Sequence, residues 1–451
     1  MRYNVEKLNL KNVENILALT PLQEGMLFHY LQAPQSELYF EQLSLEISGA
    51  IEYELFEGAW NVVIKTNEML RVVFRWEKVD NPVQIVLKEH KVQPRYIDLS
   101  CFDTSERQER LEEIKRKDAQ EKFDLQEVPF RVTLCKIAEE EYTMIISNHH
   151  ILYDGWSTGI ILKEFFRAYH KLCPGVRSRK LPLKPPFNEF IKWSQRQDIN
   201  KQQKFWSEYL AGFEAPTELP IKRKSEEETR SKVEGYSIIL EENLRGKLDI
   251  FVKNNRVTLA SVFYTAWGIL LQKYCSSGDV VFGTTVSGRT AAIKGIEDMV
   301  GLFINTIPLR IETIPHEKIG DVVFRTDKLM QEREEFENTP LVNIGSYSSV
   351  GSGGSLFDTI VVIENYPLDN RLVPDGCLLS IHSYSMAEIT HFDLSVGIML
   401  LDEIEIKFSG KQELFEKKTI ENLARHFKGV VQNIVENQEM ALSQLDLIST
   451  E

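Results

Sequence analysis

The chain has 451 residues, 43% hydrophobic and 27% charged, with no biased tract longer than a loop, which is the make-up of a folded globular protein of two or three domains. A formal net charge of -14 repels phosphate backbones and anionic lipid, so neither nucleic acid nor a membrane surface is an expected partner. Five scattered cysteines without a CxxC spacing argue against a disulfide scaffold or a zinc site, and no apolar run nears the roughly 18 residues of a membrane span, so a cytoplasmic protein is expected.

Apolar positions in ELFEGAWNVVIKTN (54–67) recur at helical spacing and predict a helix, and the β-branched, aromatic LRVVFRW (70–76) predicts a strand behind it. PVQIVLKEH, RVTLCKI and YTMIISN read as further strands, with a charged amphipathic helix near 104–123 between the first and second of them. After the helix STGIILKEFFRAYHKL, the segment CPGVRSRKLPLKPP (173–186) gathers proline, glycine and basic residues and reads as an interdomain linker, with the boundary near residue 180. The second half repeats the order with the helix TLASVFYTAWGILLQKY and the strand DVVFGTTVS. The strands LFDTIVVIEN, LSIHSYS, FDLSVGIMLL and EIEIKFSG then lead to the helix LFEKKTIENLARHFKGVVQNIV, so each half is expected to be an α+β sandwich. YSSVGSGGSLF (347–357) reads as a loop, since it lacks the Gly-Lys-Ser/Thr ending of a phosphate-binding loop.

SNHHILYDGWSTG (147–159) places His149 and His150 where an apolar run stops. A metal site is not expected, because successive strand residues face opposite ways and no HExxH or third ligand accompanies the pair. A serine triad lacks its nucleophile: Ser157 lies beyond a turn, and Ser287 in GTTVSGR has Thr285 where a G-x-S-x-G elbow has glycine. Two readings stay open, acid–base and positioning work by one imidazole, or two structural histidines closing a strand.

HHILYDG matches, at His149, His150, Asp154 and Gly155, the HHxxxDG motif of non-ribosomal peptide synthetase condensation domains, and the chain resembles that family along its length. LTPLQEGMLFH (19–29), MLRVVF (69–74), DVVFGTTVSGR with MVGLFINTIPLR (279–289 and 299–310), LFDTIVVIENYP (356–367) and HFDLSVGI (391–398) resemble its other motifs in order. Asn67 stands where a histidine is frequent. The closing SQLDLISTE resembles the start of a linker to an adenylation domain.

The resemblance implies an α+β fold, two chloramphenicol-acetyltransferase-like α/β sandwich lobes in a V-shaped pseudo-dimer with the site at the seam. Residues 1–178 would form the lobe carrying HHILYDG, and 179–451 the lobe with bridging elements and the start of the linker. No cofactor would be bound by the domain itself. Substrates would arrive on phosphopantetheine arms of an upstream donor and a downstream acceptor peptidyl carrier protein, beside a neighbouring adenylation domain. The product would be an amide, formed when the acceptor amine attacks the donor thioester.

By the same resemblance His150 orients the amine and relays or accepts its proton, His149 supports the site, and Asp154 is structural with Arg71 as its cationic partner. Gly155 leaves room for the arm or the amine. Asn305 either reaches the site or satisfies nearby backbone. Trp156 and Ser157 complete a Gly-Trp-Ser run that favours condensation over epimerization, while a cyclization domain would carry aspartates in place of the histidines. A catalytically silent recruitment module of this fold would have a degraded motif. The chemistry makes modest demands, because a thioester is an activated acyl donor and an α-amine has a reference pKa of about 7.7 to 8.0. Holding two tethered reactants together can supply roughly 7 to 11 kcal/mol.

Overall fold

The computed structural model describes residues 9–34, 36–174, 184–222, 233–350, 355–365, 368–401 and 403–447. The expected linker and boundary, the glycine-serine loop and the closing SQLDLISTE fall partly outside these residues, at 175–183, 351–354 and 448–451.

In chain order the elements are β1 (Val13–Ala18), α1 (Pro21–Gln32), β2 (Phe40–Ser48), α2 (Tyr53–Thr66), β3 (Val72–Arg75), β4 (Val83–Leu87), β5 (Arg95–Asp98) and α3 (Thr104–Gln120). Next come β6 (Phe130–Ala138), β7 (Glu141–His149), α4 (Gly155–Leu172), α5 (Asn188–Gln195), α6 (Ile199–Tyr209), β8 (Val233–Ile239), α7 (Glu242–Asn255), α8 (Leu259–Cys275) and β9 (Asp279–Val286). The chain continues with β10 (Asn305–Glu312), α9 (Ile319–Arg333), α10 (Leu341–Tyr347), β11 (Thr359–Glu364), β12 (Ser380–Glu388), β13 (Leu394–Leu400), β14 (Ile404–Lys411) and α11 (Lys417–Glu436).

These elements form two compact units, Met1–Gln197 with Ala291–Phe303 and Pro367–Thr390, and Asp198–Thr290 with Ile304–Tyr366 and His391–Glu451. The expected mixed α/β class with two lobes is therefore met. Three stretches read with the second half lie in the first unit: the chain up to Gln197, Ala291–Phe303 and Pro367–Thr390. LSIHSYS forms much of β12, which pairs antiparallel along β2 from Ser380 opposite Ser48 to Glu388 opposite Glu41. The open edge of β2 recruits a strand distant in sequence because its backbone groups need partners.

The first unit carries a five-stranded sheet in the order β12-β2-β7-β6-β5 and a three-stranded sheet β1-β4-β3. Its α2 buries Phe56, Ala59, Trp60 and Val63, a stripe at helical spacing, against the apolar face of α4. Trp60 stacks on Phe165 with ring centroids 4.8 Å apart, and Phe56 meets the same ring edge-on at 5.2 Å. Each such fully buried side chain contributes about 1.5 to 3 kcal/mol relative to exposure. Helix α1 lacks a strong apolar stripe, but Thr20 caps it, Gln23 closes a capping box and Pro21 sits in its first turn.

The second unit carries a six-stranded sheet, β10-β9-β11-β13-β14-β8. Helix α8 is buried almost all round, and α11 packs a regular stripe of Ile420, Leu423, Phe427, Val430, Val431 and Ile434. The two units share a connectivity. In each, an antiparallel hairpin (β6–β7, β13–β14) leads into a helix (α4, α11), and the first hairpin strand runs parallel to a neighbour (β5, β11). The second hairpin strand pairs antiparallel with one that precedes a helix (β2 before α2, β8 before α7). The histidine pair lies at the β7–α4 junction.

Candidate active site

Strand β7 is central, between β2 and β6, and every residue from Tyr142 to His149 is buried. At its end His149 N donates to Pro129 O at 3.1 Å and His150 N to Tyr39 O at 2.8 Å, so both neighbouring segments grip the histidine backbone. Leu152 N then turns back onto His149 O at 3.1 Å, and Asp154 opens α4. Tyr39 sits at φ 63°, an uncommon left-handed conformation for a bulky residue, while its hydroxyl lies 2.6 Å from His29 Nδ1. Local strain of this kind collects at functional sites.

The surroundings push the two imidazoles in opposite directions, His149 toward the neutral ring and His150 toward the protonated one. His149 Nδ1 accepts from Ile151 N at 3.1 Å, so its proton resides on Nε2. Burial, with the neighbouring His150 charge adding to it, pushes His149 down to about 3, and the ring stays neutral. Tyr30 meets this ring edge-on, and with Phe40 and Phe123 it lines a small cavity beside it. His150 is 6% exposed, yet burial, which lowers its pKa, is outweighed by Glu41, Glu388 and Asp154, which raise it to about 10. Its Nδ1 lies 2.8 Å from Glu41 Oε1 and 2.9 Å from Tyr153 O, so that nitrogen carries a hydrogen, and in the protonated ring that the carboxylates favour Nε2 is a second donor.

Glu41 is 2% exposed, and its second oxygen accepts from Asn148 Nδ2 at 2.7 Å. Asn148 Oδ1 in turn accepts from Tyr153 O–H at 2.7 Å. Glu41, His150 and Glu388 each bring one potential ligand atom within 4.8 Å of the others, so these are the described residues whose donor set could hold a metal ion. Nδ1 is already engaged by Glu41, and an ion there would have to displace its proton.

Asp154 is fully buried, and its charge is met by donors from the α4 N-terminus and from the 291–303 segment. Oδ1 accepts from Ser157 N at 2.9 Å and lies 2.8 Å from Ser157 Oγ, while Oδ2 accepts from Phe303 N at 3.0 Å. Ser157 Oγ also lies 3.0 Å from Gly301 O and accepts from Gly301 N at 3.1 Å. Two motifs distant in sequence are thereby joined. The expected partnership of Asp154 with Arg71 is not what forms: the Arg71 guanidinium donates to Glu14 and to Leu87 O. The reason is local, since backbone and hydroxyl donors already occupy both aspartate oxygens and β4 offers Arg71 a carbonyl.

Gly155 is the first residue of α4 and has helical backbone, so no positive φ requires glycine there. At Gly301 the close approach is real: a Cβ would meet Phe187 ring carbons at 2.5 Å. Trp156 is 39% exposed, with Nε1 donating to Glu297 O at 3.3 Å. Asn305 belongs to the second unit, where its amide donates to Glu337 O and Thr339 O, each at 2.7 Å. Among the expected site residues, His149, His150, Asp154, Gly155 and Ser157 are gathered at one junction.

Reasoning from the sequence missed Glu41, Asn148 and Gln23. Gln23, from the first motif, is buried and donates to Ile151 O at 3.0 Å, tying α1 to the histidine turn. A glutamate inside the apolar YFEQLSLEI was the available signal for Glu41. Asn67 is buried as well, donating to Glu164 at 2.7 Å and accepting from Lys184 at 2.8 Å, so both ends of its amide serve a structural network.

Residues 13–451 match the family model described as Condensation domain. The chain is 34% identical over 446 residues to surfactin synthase subunit 2 of Bacillus subtilis (strain 168), covering 98% of this chain and 12% of that protein. It is 33% identical over 446 residues to tyrocidine synthase 2 of Brevibacillus parabrevis, covering 97% and 12%. The chain thus spans about an eighth of these relatives' length. In fold it is similar to the starter condensation domain of rhizomide synthetase RzmA, with a TM-score of 0.81 at 19% identity, covering 96% of this chain and 98% of that one. It is also similar to the X-domain from teicoplanin biosynthesis, with a TM-score of 0.80 at 20% identity, covering 96% and 98%.

Proposed function

This chain belongs to the condensation domain family, and we propose that it joins two carrier-bound substrates by an amide bond. The acceptor is an aminoacyl thioester on a downstream carrier protein, and its amine attacks an aminoacyl or peptidyl thioester on an upstream carrier. A C–N bond forms and a C–S bond breaks; the nitrogen sheds one proton, and the departing pantetheine sulfur leaves as a thiol. The setting is the cytoplasm, within an assembly that includes an adenylation domain, and the phosphopantetheine arms belong to the carriers.

The observation that carries this reading is the geometry at His150, whose Nδ1 lies 2.8 Å from the buried Glu41 carboxylate, an arrangement that favours the protonated ring. A ring in that state donates a hydrogen bond and does not accept a proton, which revises the role expected for His150. In this proposal Nε2–H stabilises the oxyanion that develops on the attacked carbonyl, while the amine loses its proton to water or to the departing sulfur. The neutral His149 supports the turn that carries it.

The test is a condensation assay with donor carriers bearing defined L- and D-aminoacyl groups and an aminoacyl acceptor carrier, the product being identified by mass spectrometry on the acceptor arm. The rate rises as the amine loses its proton, near the reference pKa of about 7.7 to 8.0. It falls only as the His150 imidazolium gives up its proton, at about 10. A recruitment module would yield no product with any pair.

Gly155 tests where the acceptor enters. With helical backbone at this position, Gly155→Ala is expected to leave the unfolding midpoint unchanged or slightly raised. If the acceptor arm passes here, activity falls in steps from Gly155→Ala to Gly155→Leu while donor-carrier binding persists. A Leu variant with normal turnover places the acceptor path elsewhere.

A further inference from the structure

We propose that Glu41 is a positioning residue for amide formation, its buried carboxylate holding Nδ1–H of His150 so that the ring works as a fixed cation with Nε2–H available to the substrate. The proposal rests on the reading that His150 serves that reaction. Its basis is the geometry of three strands. β2 places Glu41 beside the end of β7, and β12 places Glu388 directly opposite Glu41 in an antiparallel pair. Like charges facing each other across strands repel, and the pair becomes favourable only with a cation between the carboxylates. The imidazole of His150 is within reach of both.

The glutamate is also over-determined in its position. One oxygen lies 2.8 Å from Nδ1, and the other is held by Asn148, which is itself held by Tyr153. Tyr153 O supplies a second acceptor to the same Nδ1 at 2.9 Å, so ring rotation would break two contacts. The charged or titratable groups acting on His150 are Glu41 from β2, Glu388 from β12, Asp154 at the α4 N-terminus and His149 from β7. Of the two facing glutamates Glu41 is buried and Glu388 is exposed, so the carboxylate with the greater hold on the ring is Glu41.

The experiment uses the intact chain with its histidines labelled with nitrogen-15, the His150 signal being identified by its loss in H150Q. The His150 titration midpoint falls by about 1 to 3 pH units in E41Q and by less in E388Q. In the carrier assay E41Q lowers kcat by about a hundredfold with KM for both carriers little changed, because the donor at Nε2 is weakened while the docking surfaces are intact. The alkaline limb of the pH–rate profile moves to lower pH by the same shift as the titration. E41D keeps the charge but withdraws it by one methylene, so it gives intermediate values and serves if E41Q fails to fold. An unmoved His150 titration in the folded variants overturns the proposal, as does a kcat within about twofold of wild type. The titration is read without any condensation, so an inactive wild-type chain counts against amide formation and leaves the Glu41–His150 coupling to be judged separately.

Discussion

Alanine in place of His150 is expected to lower the rate of amide formation by about 10²- to 10³-fold, the usual cost of removing one donor to a developing oxyanion. The same change strands Glu41, which is buried and faces Glu388 across the strands, so it also lowers stability by about 3 to 5 kcal/mol. The two effects are separable. The double variant H150A/E41A removes both members of the pair; it is expected to regain much of the lost stability in chemical denaturation while its single-turnover rate stays low. Recovery of rate with stability would mean that His150 acts only through the fold.

The pair also predicts the sign of a pH effect on stability. The folded His150 lies above its ordinary value of 6.5, so the stabilisation it supplies is complete below that pH and is lost as pH rises through about 10. Denaturation midpoints measured across this window are expected to fall in the wild type more than in H150A/E41A.

Asp154→Ala is expected to destabilise the chain by about 2 to 4 kcal/mol, the loss of a helix cap together with two buried N–H groups left without an acceptor. Ser157 N and Phe303 N are the groups left unmet, so the loss spans α4 and the 291–303 segment. Asp154→Asn keeps an acceptor oxygen and should cost less. Because Arg71 is engaged by Glu14 and Leu87 instead, Arg71→Ala and Asp154→Ala should combine additively in a double-mutant cycle, to within about 0.5 kcal/mol. A coupling well above that would restore the Arg71–Asp154 pairing.

Local order was legible because it depends on periodicity and termination. The stripe Phe56, Ala59, Trp60, Val63 declared α2, alternation and β-branched content declared β6 and β7, and the His-His turn followed by Asp-Gly located the β7–α4 junction. The motif residues His149, His150, Asp154 and Ser157 lie close together because the end of β7, the turn after it and the first turn of α4 are consecutive in the chain. Short or weakly patterned elements, such as α1 and β5, escaped because their apolar content carries little period.

What the sequence by itself determined was therefore the class of fold, most of its helices and strands, and the turn on which the candidate chemistry sits. The tertiary structure alone decided which charges meet there. Glu41 reaches His150 through the register of β2 on β7, Glu388 joins them because an edge strand returns from 332 residues or more downstream of β2, and Phe303 rather than Arg71 completes the shell of Asp154. Such pairings depend on strand register and on backbone donors seeking acceptors across long sequence separations. No local pattern encodes them, because an unpaired edge or a buried carboxylate is satisfied by whichever group the fold brings within hydrogen-bond distance.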